Sequence, residues 1–268
     1  MILATYSLWR RDVVRFLRQP SRVVGALLTP VIFWFVIGAG MGSSFQGNPA
    51  TFAPGATAAR EGLPPQLTGP AGFLPYYFPG SLALIVLFTA LFSCISIIED
   101  RQEGFLQGVL ASPAPRAAIV LGKALGGTTL AMINGLLFML LLPFSGLSPG
   151  AGEIVAATAA VGLLGLALSG LGIMIAWPMR STQGFHGIMN AVLVPMWLLS
   201  GALFPATGAA GWVQALMRVN PLTPAVDMLR AFLTGVPAAN LATGAGTLAL
   251  FALVTLSIAT LLVSRPSQ

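Results

Sequence analysis

The chain has 268 residues, of which 56% are hydrophobic and only 7% charged, and its formal net charge is +6. A soluble globular domain carries roughly 25% charged residues, so a water-facing surface over most of this chain is excluded and its main solvent is lipid. The basic balance does not point to nucleic acid, because the thirteen Lys and Arg residues lie mostly in short segments between long apolar runs. Topology and lipid headgroups explain that distribution better.

The first 22 residues form a patterned element. At about 100° per residue, Ile2, Tyr6, Trp9, Val13, Phe16 and Leu17 share one face, and Arg11, Arg15, Arg18 and Arg22 share the opposite one. The pattern predicts an amphipathic helix in the membrane interface, with Trp9 at headgroup depth and the arginines toward water or anionic lipid. A basic topogenic flank is the plainer reading of the same residues, and Gln19–Pro20 ends the helix in either case.

A helix needs about 20 apolar residues to cross a bilayer. Six stretches qualify: 23–42, 78–98, 118–142, 154–177, 187–205 and 244–263. Lys123 is the one charge within them, placed where it could snorkel to the headgroups. Pro195 interrupts the fifth stretch, which ends at Pro205, so that span is kinked or partly re-entrant. The basic start, apolar run and small residues near Gly38–Gly42 also fit a secretory signal, but the long basic region and five further spans favour a retained helix. With the N-terminus cytoplasmic, Arg10, Arg11, Arg15, Arg18, Arg22, Arg101, Arg116, Lys123, Arg180 and Arg265 fall inside, and Arg60, Arg218 and Arg230 outside. That asymmetry predicts both termini in the cytoplasm.

Residues 43–77 read as an external loop rich in Gly, Pro, Ala and Thr, with one adjacent Arg60–Glu61 pair. The segment from Glu99 to Arg116 is the densest polar stretch after the N-terminus. Its acidic start suits a helix N-terminus, Pro113 and Pro115 end it, and Phe105, Leu106, Val109 and Leu110 share a face. Such a face is a docking surface for a partner, or else packs back on the bundle or the membrane. Gly38-x-x-x-Gly42, Gly122-x-x-x-Gly126 and Gly165-x-x-x-Ser169 set small residues one turn apart, for close helix packing within or between subunits.

The region from Phe204 to Gly235 is too polar to span and too apolar for a solvated loop. Two short helices broken at Asn220–Pro221 and dipping into the outer leaflet satisfy both constraints, with Asp227 and Arg230 spaced to pair. Catalytic motifs are missing: the chain has no G-x-x-x-x-G-K-[ST], no H-E-x-x-H and no G-x-S-x-G. Its single histidine, His186, and single cysteine, Cys94, exclude a His- or Cys-built metal site within the chain. Asp, Glu, Arg and His are absent from the span interiors, which argues against ion- or proton-coupled transport and suits an apolar or amphipathic passenger.

Three segments are similar to the permease subunits of the ABC-2 transporter family. They are Phe78-Pro79-Gly80-Ser81; Glu99 through Lys123, with Gly104, Leu110, Ser112, Pro113, Arg116 and Gly122; and Asn220-Pro221-Leu222-Thr223-Pro224 through Asp227, with Arg230. The resemblance runs over nearly the whole chain. It implies an all-α integral membrane fold of the ABC-2 (type V ABC exporter) kind, with an interfacial helix at 1–22 and a single six-helix domain at 23–268. A cytoplasmic coupling helix is expected at about 101–112 and an external re-entrant hairpin at about 205–232. Phe105, Leu106, Val109 and Leu110 would then dock on an ATPase, positioned by Glu99 and Arg101. Trp9, Arg11, Arg15 and Arg18 would hold the interfacial helix, and Asn220, Pro221, Asp227 and Arg230 would close the outer end.

The resemblance further implies two ATPase subunits carrying MgATP, no cofactor in this chain, pairing of two permease copies, and efflux across the cytoplasmic (inner) membrane. Spans one, two and five would line the route. The passenger is expected to be drug-like, with lipid, lipid-linked glycan or a haem-like cofactor as the alternative. A non-transporting membrane scaffold or biogenesis factor is the rival of another class.

Overall fold

The computed structural model describes residues 1–18, 20–46, 73–204, 209–236 and 240–264. Every regular element among them is an α-helix. In chain order these are α1 (Ile2–Leu17), α2 (Pro20–Gln46), α3 (Phe73–Ser93), α4 (Ile95–Gln102), α5 (Phe105–Ala111) and α6 (Arg116–Met139). Then come α7 (Leu142–Ser145), α8 (Ala151–Ala176), α9 (Thr182–Leu198), α10 (Gly211–Val219), α11 (Leu222–Thr234) and α12 (Leu241–Ser264).

Four described segments are long and apolar enough to cross a membrane: Phe73–Gln102, which joins α3 to α4, then α6, α8 and α12. Of the other two expected spans, α2 is helical over 27 residues, but its described apolar stretch, Leu27–Gly38, is shorter. α9 starts at Thr182, where the Ser181 hydroxyl accepts from Gly184 N–H, and stops at Leu198, three residues beyond Pro195. Pro205, Gln19, Arg265 and residues 47–72, with Arg60 and Glu61, lie outside the described residues, as do the side chain of Arg22 and the packing around Gly42.

The second span begins earlier than expected. Phe73, Tyr76 and Tyr77 are helical and buried, so the loop expected to run to residue 77 ends by Phe73, and Pro79 sits inside the helix. Gly80 follows that proline because another backbone crosses there: a Cβ on it would stand 2.9 Å from Ala202 Cα. Trp197 donates its indole N–H to the Gly80 carbonyl at 3.0 Å across the same contact.

α3 is the central helix, with nearly every residue buried against α2, α6, α8 and α11. α12 is peripheral, with Leu250, Leu253, Val254 and Leu261 exposed, as a lipid-facing helix requires. Small residues set the helix spacing. Gly165 abuts Thr128 and Ala131 of α6, and Gly127 faces Ser169 of α8. Gly122 and Gly126 receive α1, whose Leu8 and Asp12 fill the space their missing side chains leave.

Candidate functional site

The close approach of α1 to α6 brings opposite charges together in a buried position. Lys123 of α6 is 5% exposed. Its ammonium donates to Asp12 Oδ1 at 3.0 Å, Asp100 Oδ2 at 2.6 Å and Ser96 Oγ at 3.1 Å, which uses all three donors. Arg11 grips Asp100 with two parallel bonds of 2.9 and 2.7 Å. Arg15 reaches Asp100 at 3.0 Å, Glu103 at 2.9 Å and Glu99 at 3.2 Å. Lys123 therefore does not snorkel, and Arg11 and Arg15 turn toward carboxylates while keeping 29% and 25% side-chain exposure. Asp100 offers four acceptor sites to three cations in a low dielectric, where such pairs hold each other most strongly. Burial pushes the Asp12 carboxyl up and Lys123 opposes that, while the hydrogen bond from Arg11 to Asp100 raises the guanidinium's already high pKa.

The short polar helix differs from expectation at its start. Glu99 and Asp100 belong to α4, the cytoplasm-directed end of the second span in the predicted topology, and so do not open the short helix that follows. The break comes at Gly104, whose left-handed φ of 77° few other residues adopt. α5 follows and ends at Ser112, extended ahead of Pro113. The Arg11 guanidinium stacks 3.7 Å over the Phe105 ring centroid, while that ring keeps 37% exposure. Leu106 is buried in the core and anchors α5, so it is not on the accessible face; Val109 and Leu110 are half-buried. Arg116 caps the far end by donating to the Leu110 carbonyl at 2.9 Å.

Arg101 turns the other way. It donates to the carbonyls of Trp177 at 2.6 Å and Met179 at 2.9 Å, just past the C-terminus of α8, where a cation is favoured. Gln102 adds a bond to the Arg180 carbonyl at 3.1 Å. α4 and α5 are thus fixed to α1, α6 and the α8–α9 turn at one end of the bundle.

A cavity of about 440 Å³ opens beside this knot. Its walls come from α1 (Asp12, Arg15, Phe16), α2 (Gly25, Thr29, Pro30), α3 (Phe88, Thr89, Phe92) and α9 (Thr182, His186), with residues of α4 and α6. His186 packs on Phe92 with centroids 5.2 Å apart. The volume is that of a small-molecule site, and the lining mixes aromatic rings with hydroxyls and charged groups.

At the opposite end, Asn220 bridges two elements: its amide donates to the Met196 carbonyl and its Oδ1 accepts from Leu222 N–H at 3.0 Å. Pro221 then opens α11. Arg230 donates to the Gly201 carbonyl at 2.7 Å, lies 4.5 Å over the Tyr76 ring and stands 3.7 Å from Asp227. On α1, Trp9 donates to Thr129 Oγ1 at 3.0 Å and Arg18 is exposed.

Three residues of the knot escaped the sequence reading as a group: Asp12, Asp100 and Lys123. A signal was present. Asp12 is the only acid in the first 22 residues and Lys123 the only charge inside an expected span. Two lone opposite charges in apolar settings are candidates for each other. Their separation by 111 residues hid the pairing.

Comparison with known proteins follows the same outline. The family model for the ABC-2 type transporter matches residues 4–234. Nodulation protein J of Rhizobium meliloti (strain 1021) is 23% identical over 262 residues, covering 97% of this chain and 92% of that protein. The putative transport permease ycf38 of Cyanophora paradoxa is 23% identical over 227 residues, 84% of this chain and 72% of its own length. The probable multidrug ABC transporter permease YbhR of Escherichia coli (strain K12) is 26% identical over 158 residues, 58% of this chain and 42% of its own. With the match taking in the ion knot, α5, the cavity walls and both helices of the far end, this chain belongs to the ABC-2 type transporter family.

Proposed function

We propose that this chain is the permease subunit of an exporter that moves an apolar or amphipathic, drug-like molecule across the cytoplasmic membrane, driven by MgATP hydrolysis on a separate ATPase. α2 and α9 complete six spans with the four segments named above, and both termini face the cytoplasm. Two copies of the chain pair above two ATPase subunits. The exposed rim of α5, formed by Phe105 with the flanks of Val109 and Leu110, is the docking surface, and Glu99 and Arg101 hold it in position. α10 and α11 form the re-entrant hairpin that closes the outer end.

One observation carries this reading. Arg11 binds Asp100 with two bonds and stacks on Phe105, and it sits on the helix whose Asp12, Arg15 and Phe16 line the cavity. A displacement of α5 therefore reaches the α1 wall of the cavity through the Arg11 guanidinium, beside the chain path through α4, whose Ile95, Ser96 and Glu99 also line it. The cavity lining supports an amphipathic passenger, with rings for its apolar part and hydroxyl and charged groups for its head.

The test is purification of the full chain from its native host in mild detergent, beside a variant carrying Phe105→Asp and Leu110→Asp. An ATP-binding-cassette subunit at near one-to-one ratio with the wild type, lost from the variant, supports the reading. No ATPase with either preparation removes the energy source and favours a membrane scaffold. ATPase stimulation by candidate drugs, lipids and lipid-linked glycans then separates the passengers.

A further inference from the structure

Away from the ions, the same cavity has a polar pair set in an apolar wall. Thr89 of α3 lines the cavity beside Phe88 and Phe92, and Leu130 of α6 lines it one turn before Asn134. Thr89 is 2% exposed and Asn134 fully buried. The Asn134 amide bonds to Thr89 Oγ1 at 3.0 Å. Thr89 precedes Asp100 by 11 residues and Asn134 follows Lys123 by 11. At 1.5 Å per residue the pair therefore stands about 16 Å from the knot.

A helical threonine ordinarily gives its proton to the carbonyl one turn back, as Thr128, Thr255 and Thr260 do here. Ser93, on the same wall as Thr89, gives its own to the Ala90 carbonyl at 2.7 Å. Thr89 instead takes a side-chain partner. The amide brings two hydrogens to the pair and the hydroxyl brings one, and the bond between them uses one. Whichever member donates, nothing among the described residues accepts the other two. Hydrocarbon accepts none either, and buried donors without an acceptor are rarer than acceptors left short. The surplus thus calls for a lone pair, delivered on the cavity side where Thr89 is reached.

We propose that Thr89, positioned by Asn134, donates a hydrogen bond to the occupant of the cavity. The occupant's class follows from the surroundings. It is an aromatic or polycyclic compound with a neutral acceptor, such as a ketone, amide or ester carbonyl, inside its apolar part. Phe88 and Phe92 cover the rings, and the ions that would answer a charge are at the other end. Naming that occupant the passenger rests on the proposed export; the binding site itself does not.

The test uses the full chain in phosphatidylcholine nanodiscs with benzophenone, whose carbonyl is both its one acceptor and its photoreactive group. Insertion on illumination, mapped by mass spectrometry to peptides holding Phe88, Phe92 or Leu130, reports occupancy. Fluorenone and fluorene then compete, sharing a ring frame and differing by a carbonyl in place of a methylene. Referred to their concentrations in the bilayer, fluorenone should displace the label about tenfold more potently, the worth of one buried hydrogen bond. Thr89→Val should bring the two to parity and Thr89→Ser should keep the ratio. Asn134→Leu, which frees Thr89 to bond one turn back, should lower it several-fold. Thr128→Val removes a buried hydroxyl already in use and should leave it unchanged.

Equal potency of the two competitors on the wild type overturns the proposal and needs no variant to fold. A ratio that survives Thr89→Val overturns it too, as does labelling confined to peptides outside the cavity walls. A ketone preference in a chain with no co-purifying ATPase would sink the export reading and leave the site. ATP-driven export with no ketone preference would sink this site alone.

Discussion

At one end of the bundle the helices meet through ions; at the other they meet through aromatic rings and backbone carbonyls. Asp12, Asp100, Lys123, Arg11 and Arg15 form a knot in which each buried charge depends on several others. At the far end Arg230, Asn220 and Trp197 each reach a separate carbonyl, on Gly201, Met196 and Gly80. The difference lies in how each end fails. Removing one of its fully buried members, Lys123 or Asp100, leaves the rest uncompensated, so that core of the knot holds or lets go as a unit. Independent bonds to carbonyls are lost one at a time and add up. Under the proposed function, an all-or-none end would suit the transmission of a push from an ATPase, and an incremental end would suit graded closure.

Mutations can break this contrast, beginning with the largest effect. Lys123→Met leaves Asp12 and Asp100 buried without their shared cation and should cost about 3–5 kcal/mol, read as a lower thermal unfolding midpoint in detergent. Adding Asp12→Asn should recover part of that loss, because it removes one stranded carboxylate; strict additivity would mean that the knot is not a unit. At the far end, Arg230→Gln should cost about 1.5–3 kcal/mol by the same assay, the range for a hydrogen bond to a charged group. Combining it with Asn220→Ala should be close to additive.

Steric substitutions compare the ends on equal terms. A Cβ at Gly122 would stand 2.9 Å from Leu8 Cβ and 3.0 Å from the Thr5 carbonyl, and one at Gly80 meets Ala202 as closely. Gly122→Val and Gly80→Val should each cost about 1–3 kcal/mol by overpacking. Only Gly122→Val should make α1 sensitive to limited proteolysis. The smallest effect belongs to Asp227→Asn. That pair spans 3.7 Å and the Asp227 side chain is 53% exposed, so the change in midpoint should correspond to less than about 1 kcal/mol.

The contrast between the ends also explains what the sequence could reveal. Apolar run length marked α3, α6, α8 and α12, because crossing a bilayer imposes a length that composition displays directly. The glycines of Gly122-x-x-x-Gly126 were legible as a close contact, though their partner, α1, was not. The short helix was visible in Phe105 to Leu110. Its true start was hidden, since Glu99 and Asp100 imitate a helix N-terminus while the left-handed Gly104 makes the real boundary. Arg11 and Arg15 read as solvated charges because a helical wheel shows a face, not what lies opposite it. Long-range pairs such as Lys123 with Asp12 show in the sequence only as two lone charges, with nothing local to say that they meet.

The central claim is that Arg11 couples α5 to the cavity wall. The direct test attaches an environment-sensitive fluorophore at Phe16→Cys on that wall and follows it in the complex with the co-purified ATPase. MgATP should shift the emission, and Arg11→Gln should abolish the shift while hydrolysis continues, since Lys123 and Arg15 still hold Asp100. An equal shift with and without Arg11 would contradict the account.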